Sequence, residues 1–180
     1  MNIFVLDKDP RVAARYHCDK HVIKMITESC QILSTACRLN GVDVPPYYYK
    51  NTHIHHPCVK WVAKSEYNLI WLAKLAFWLI WEYEYRYKPQ TPKFEQAKKI
   101  VNHILYNIDL YSIKGTLDIP TRDLLSSMDP FALAMPDKYK SSNAVLAYRL
   151  YYIQDKQHLF KWTGRNVPKW VTDPKRELSR

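Results

Sequence analysis

Wherever apolar residues form a pattern in this chain they recur at helical spacing, and no stretch alternates with the period of two that a half-buried strand requires. From Pro57, a favoured first helical residue, to about Tyr87, one face carries Val59, Ala63, Leu69 or Ile70, Ala73, Phe77 and Ile80, with Lys60, Lys64, Glu66 and Lys74 between them. The spacing predicts one long helix. Its C-terminal half, Trp71 to Trp81, is apolar nearly all round and is expected to be the buried centre of the fold.

A second helix is legible upstream. Val22, Met25, Ile26, Ser29, Ile32, Leu33 and Ala36 form one stripe, the helix runs to about Asn40, and Gly41 stands where a left-handed cap belongs. It begins after Pro10 or restarts near Asp19. Before it, Ile3-Phe4-Val5-Leu6 is short and apolar and is stopped by Asp7-Lys8-Asp9-Pro10, which predicts an extended lead-in. Val42 to Asn51, with two prolines, is a loop. Phe94 to Leu110 reads as a third helix and Gly115 to Pro136 as a long irregular connection. Ser141-Ser142-Asn143 caps a final helix from Ala144 to about Trp162, ended by Gly164, and a basic tail follows from about residue 163. The expected fold class is all-α: one helical bundle over residues 1–180, with a short extended N-terminal segment and a long loop before the last helix.

Several function classes are excluded early. The three glycines, Gly41, Gly115 and Gly164, are too far apart for a phosphate-cradling loop, which needs two or three in one short turn. Cys18, Cys30, Cys37 and Cys58 contain no Cys-x-x-Cys pair and the N-terminus has no secretion-signal pattern, so reduced thiols in a cytoplasmic protein are expected. The longest strongly apolar run, Leu75 to Trp81, is seven residues against the roughly 20 needed to cross a bilayer. A monomer without a cofactor is expected. The formal charge of 27 − 17 = +10 favours a polyanionic partner, DNA above all, because cations that meet phosphates release condensed counterions.

Three constellations carry possible chemistry. His21, Lys24 and Glu28, at i, i+3 and i+7, share the edge of the apolar stripe, where burial and neighbouring charge tune acid-base groups; the plain alternative is a Lys24–Glu28 surface pair beside a histidine. His17, His21, His53, His55, His56 and Cys58 hold five of the seven histidines and suit a metal by donor type, although no zinc pattern is matched. Such a site would make the chain a metal-dependent nuclease or nucleotide phosphohydrolase. Aromatic residues interleaved with cations, notably Arg149, Tyr152, Lys156, Lys161 and Trp162, fit a groove that tracks phosphates and stacks bases. A non-catalytic nucleic-acid-binding protein would use them alone.

Asp19-Lys20-His21, followed seven residues after the histidine by Glu28, resembles the first helix of the pyrimidine-dimer DNA glycosylases with AP-lyase activity from T-even phages. His56, opening His-Pro-Cys-Val-Lys-Trp, is similar to their histidine before the central helix, and Tyr151 to Trp162 is loosely similar to their C-terminal aromatic and lysine cluster. The chain also resembles a wider set of phage and bacterial proteins with His-Pro-x-x-x-Trp and Ala-Met-Pro-Asp. The resemblance implies that an N-terminal α-amine attacks the sugar carbon and drives strand cleavage through a Schiff base, on a base rotated out of the stack. An α-amine suits this because its ordinary pKa of about 7.7 leaves a useful neutral fraction. Carried over, Met1 supplies the amine, Glu28 is the acid-base residue, His21 and His56 orient or contact DNA, and Lys24 contacts phosphate; Asp19, Lys20 and Lys60 flank them as nucleic-acid contacts. Three departures stand out: Asn2 is a poor residue for removal of Met1, the lead-in is about six residues longer, and Thr27 replaces the family's Arg. If the amine is outside the site, Lys20 or Lys24 forms the Schiff base, or Glu28 activates water.

Overall fold

In the computed structural model, residues 1–106 and 119–174 are described. They form eight α-helices and no strand: α1 (Pro10–Tyr16), α2 (Asp19–Leu39), α3 (Pro57–Lys64), α4 (Glu66–Tyr87), α5 (Glu95–Tyr106), α6 (Thr121–Ser127), α7 (Ala144–Asp155) and α8 (Lys169–Thr172). The all-α class read from the periodicity is what the backbone shows. Helix α4 runs through the middle, with α1, α2 and α5 packed along it and α3 against α2.

Local chemistry sets most boundaries. Asp9 caps α1 through Arg11 N–H and Val12 N–H, with Pro10 as its first residue. At the far end of α2, Gly41 at φ 72° lets Gly41 N–H reach Arg38 C=O and Val42 N–H reach Cys37 C=O, both at 3.1 Å. The expected stripe of α2, from Val22 to Ala36, is buried. Asn143 caps α7 by accepting Leu146 N–H.

The long helix expected from Pro57 is two. Ser65 takes an extended conformation (φ −148°, ψ 140°), ends α3, and its hydroxyl caps α4 through Tyr67 N–H. Apolar periodicity continues across the break, which is why spacing alone joins the two helices. The aromatic end of α4 is also less buried than expected: Trp71 is sealed, but Phe77 and Trp78 are half-buried and Trp81 is exposed.

Other expectations shift. The last long helix stops at Asp155, and a 3₁₀ turn at Gln157–Leu159 leads to Trp162. The connection before it contains α6 and a 3₁₀ turn at Asp137–Tyr139. The end of the third helix beyond Tyr106 and the connection's start at Gly115 lie outside the described residues. So do Lys175, Arg176 and Arg180 of the basic tail; in its earlier part Pro168 and Trp170 are buried while Lys169 is exposed. The lead-in is buried but not regularly extended, because Phe4 has φ 31° and Leu6 N–H closes a tight turn onto Phe4 C=O at 2.8 Å.

Candidate active site

The start of the chain is threaded into the molecule beside α2. Asn2 holds it there: its side-chain amide donates to Ala134 C=O at 2.8 Å. Its Oδ1 accepts from Ile3 N–H at 2.7 Å and Phe4 N–H at 3.2 Å. These two bonds stabilise the left-handed backbone of Phe4, a conformation that otherwise costs a residue with a side chain about 1–2 kcal/mol.

That arrangement delivers the backbone nitrogens to Glu28. Asn2 N–H donates to Glu28 Oε2 at 3.1 Å, and the α-ammonium of Met1 lies 3.9 Å from the same oxygen. Lys24 Nζ, on an exposed side chain, is 3.5 Å from the other oxygen, Oε1. The Glu28 side chain is 16% exposed, enough for a small group to reach it and little enough that water does not screen it fully. Lys24 and Glu28 do pair, as the plain surface reading expected, but the terminus joins them and makes the group three-membered.

Two turns before Glu28 on α2, the Phe4 ring stacks on His21 (centroids 4.6 Å, 21° between planes). His21 Nδ1 is 2.7 Å from the Tyr152 hydroxyl, which also accepts Cys18 N–H at 3.1 Å. Burial lowers the His21 pKa to about 3, helped by the positive charges of Lys156 and Lys24 nearby. At neutral pH this imidazole is uncharged. His17, one turn away, donates through Nδ1–H to Ala13 C=O at 2.7 Å, which makes Nδ1 the protonated nitrogen because a carbonyl only accepts. Burial holds its pKa at about 4.

His56 lies on the other flank. It caps α3 by accepting Cys58 N–H on Nδ1 at 3.2 Å. Its pKa is lowered by partial burial first and then by the adjacent N-terminal charge and His53, with Glu28 opposing. Cys58 below it is buried, and burial pushes its thiol up to about 12, so it is no nucleophile at neutral pH. The terminus, Glu28 and His56 thus share one electrostatic neighbourhood.

The other expected contacts divide. Lys20, Lys24, Lys60 and Lys161 are exposed and Lys156 is half-exposed, with its ammonium 4.9 Å above the Tyr151 ring. These can meet phosphates. Asp19 cannot serve as a nucleic-acid contact: it is 6% exposed, paired with Arg86 at 3.1 Å, and accepts from Thr163 N–H and Thr163 Oγ1. Its role is to pin the first turn of α2. Arg149 donates to Leu6 C=O at 2.9 Å and pairs with Asp7 at 3.2 Å. Tyr152 is fully buried, and Trp162 is 8% exposed with its indole N–H on Tyr16 C=O. Neither ring can stack on a base from the surface. Their basic sequence neighbours suggest a surface position, whereas Phe4 and Trp170 pack on Tyr152 and Trp162 packs against Phe160 and bonds to α1.

The metal cluster does not assemble. His53 and His55 are exposed, His56 is a helix cap, Cys58 is buried, and His17 and His21 face Ala13 C=O and Tyr152. Among the described residues no three His, Cys, Asp or Glu side chains come together to hold a metal ion. Among them, too, no helix is long and apolar enough to cross a membrane. Asn2 and Phe4 carry no signal of their position in the sequence; nothing in a four-residue apolar run indicates that it bends back on α2.

The family model for pyrimidine dimer DNA glycosylase matches residues 1–95, of the 180 in the chain. No curated protein matches. No solved structure matches. The matched span carries the terminus, the His21–Glu28 edge and His56, and the chain belongs to the pyrimidine dimer DNA glycosylase family.

Proposed function

We propose that the protein is a DNA N-glycosylase with AP-lyase activity, acting on a damaged or modified pyrimidine. One observation carries the proposal: Asn2 N–H and the Met1 amine converge on a single oxygen of Glu28, at 3.1 and 3.9 Å. A carboxylate so placed accepts the amine's proton and frees its lone pair.

The neutral nitrogen attacks C1′ of the sugar. As the new C–N bond forms, the glycosidic bond breaks and its electron pair leaves with the base, which takes up a proton. Ring opening gives an iminium linking protein and DNA. Loss of a C2′ proton then breaks the C3′–O bond and cuts the strand, and water hydrolyses the imine to restore the amine. Glu28 faces the cationic sugar throughout and handles the protons, while neutral His21 and exposed Lys24, Lys60, Lys156 and Lys161 contact or orient DNA. Asn2 positions the terminus. No step calls for a metal.

Single-turnover base release, read after photoreversal of the cyclobutane ring because the detached pyrimidine otherwise stays tethered to its neighbour, and strand cleavage on a duplex carrying a cyclobutane pyrimidine dimer test this. Base release followed by cleavage at the same site is expected, and Glu28→Gln abolishes both while duplex binding persists. Release without cleavage removes the lyase half of the proposal. A Glu28→Gln variant as active as the parent overturns the mechanism.

A further inference from the structure

The hydroxyl of Tyr152 is enclosed by three polar groups: Cys18 N–H at 3.1 Å, His21 Nδ1 at 2.7 Å and Cys18 Sγ at 3.3 Å. A phenol has one proton to give and two lone pairs to fill. Cys18 N–H occupies one lone pair. The proton can go to the imidazole nitrogen or the sulfur, and the nitrogen is both nearer, by 3.3 − 2.7 = 0.6 Å, and much the stronger acceptor. The alternative pairing sends the hydroxyl proton to Cys18 Sγ and has Nδ1–H donate to the phenol; of the two, O–H···Nδ1 joins the more acidic donor to the better acceptor and is preferred, with the thiol turned toward the phenol oxygen.

This arrangement determines the state of His21. Nδ1 receives the phenol proton and carries none of its own, so in the neutral ring the proton sits on Nε2. Burial keeps Tyr152 protonated and His21 uncharged. The ring cannot turn, because Phe4 is stacked on it and the edge of Tyr152 packs at 5.1 Å. His21 Nε2 meets no acceptor among the described residues, yet, unlike His17 Nε2, it is not sealed from solvent. It lies on the helix edge that two turns later carries Glu28, about 10 Å along the axis.

We propose that Tyr152 is a positioning residue that locks His21 in its Nε2–H tautomer, making it a neutral, fixed hydrogen-bond donor to an oxygen acceptor of bound DNA rather than a proton-transfer group. The proposal rests on the glycosylase reading for its ligand, but the tautomer itself does not depend on that reading.

Nitrogen NMR of the imidazoles in the full chain, near pH 7, tests it. The result expected is a pyridine-type Nδ1 and a pyrrole-type Nε2 for His21. A protonated Nδ1, or an imidazolium, overturns the proposal. Tyr152→Phe removes the phenol proton and is expected to mix the tautomers and slow base release about 10- to 100-fold, the usual range for losing an orienting partner. An unchanged tautomer in that variant overturns the positioning role, and the parent spectrum still decides if the variant fails to fold. Adding duplex should shift Nε2: a shift with undamaged duplex indicates a phosphate oxygen, and a shift only with lesion duplex indicates an oxygen of the sugar or base. No shift with either overturns the donor role. An Nε2–H tautomer in a protein that releases no base sinks the enzymatic reading alone, whereas base release from a protein with Nδ1–H sinks this inference alone.

Discussion

Arg86 is the residue whose removal should cost the fold most per atom. Its guanidinium, with none of its side chain exposed, pairs with Glu82 at 3.0 Å and Asp19 at 3.1 Å. It also donates to the carbonyls of His17 at 2.9 Å and Arg15 at 3.0 Å. It therefore ties the end of α1 and the first turn of α2 to the end of α4. Arg86→Met keeps most of the stem volume and removes the charge. Removing one partner of a buried pair usually costs about 3–5 kcal/mol. Here Glu82 keeps Arg165, at 2.6 and 3.0 Å, and Asp19 keeps the two donors of Thr163, so the cost should fall at the lower end, about 3 kcal/mol. In a chain of this size that corresponds to a melting temperature lower by about 6–12 °C. Urea unfolding followed by far-ultraviolet circular dichroism measures it, with Lys88→Met, on the exposed cap of α4, as a control expected near zero. A loss below about 1 kcal/mol for Arg86→Met would refute the reasoning that this network pins α2.

Two more outcomes follow from buried and strained groups. His17 and His21 have folded pKa values of about 4 and about 3, below the ordinary 6.5. Between those limits the unfolded chain binds more protons than the folded one, so stability is complete above about pH 6.5 and falls as pH drops toward 4, by up to about 1.4 kcal/mol per pH unit for each histidine. Urea midpoints from pH 7 to 4 should show this, and His17→Gln should flatten the decline by about half; a profile unaffected by that substitution contradicts the assignment. Gly164 has φ 65°, and an added Cβ would meet Tyr85 Cε1 at an ordinary 3.7 Å. Gly164→Ala should therefore cost only the backbone strain, about 1–2 kcal/mol, and a neutral effect in the same assay would show that the turn relaxes.

The parts legible in the sequence are those governed by local pattern. The α2 stripe, the Gly41 cap, the Asn143 cap and the edge shared by His21, Lys24 and Glu28 each depend on residues within two or three turns of one another. The break at Ser65 was signalled by a serine before Glu66, but the apolar spacing on both sides masked it. What local pattern cannot carry is contact between distant segments. Asp19, expected as a DNA contact, is instead the partner of Arg86, 67 positions away. Tyr152 reaches His21 across 131 positions, and Asn2 reaches Ala134 across 132. The site is assembled by these long-range bonds, so its members could be named individually but their roles could not be assigned.

The central claim is that the amine at the start of the chain, aimed at Glu28, is the nucleophile. Borohydride reduction during reaction with a duplex containing an abasic site, followed by proteolysis and mass spectrometry, tests it most directly. The account predicts a covalent adduct on the α-nitrogen of the N-terminal residue that is lost in Glu28→Gln and in a chain acetylated at its terminus. An adduct on Lys20 or Lys24, or the absence of any adduct from a protein that cleaves the strand, would contradict it.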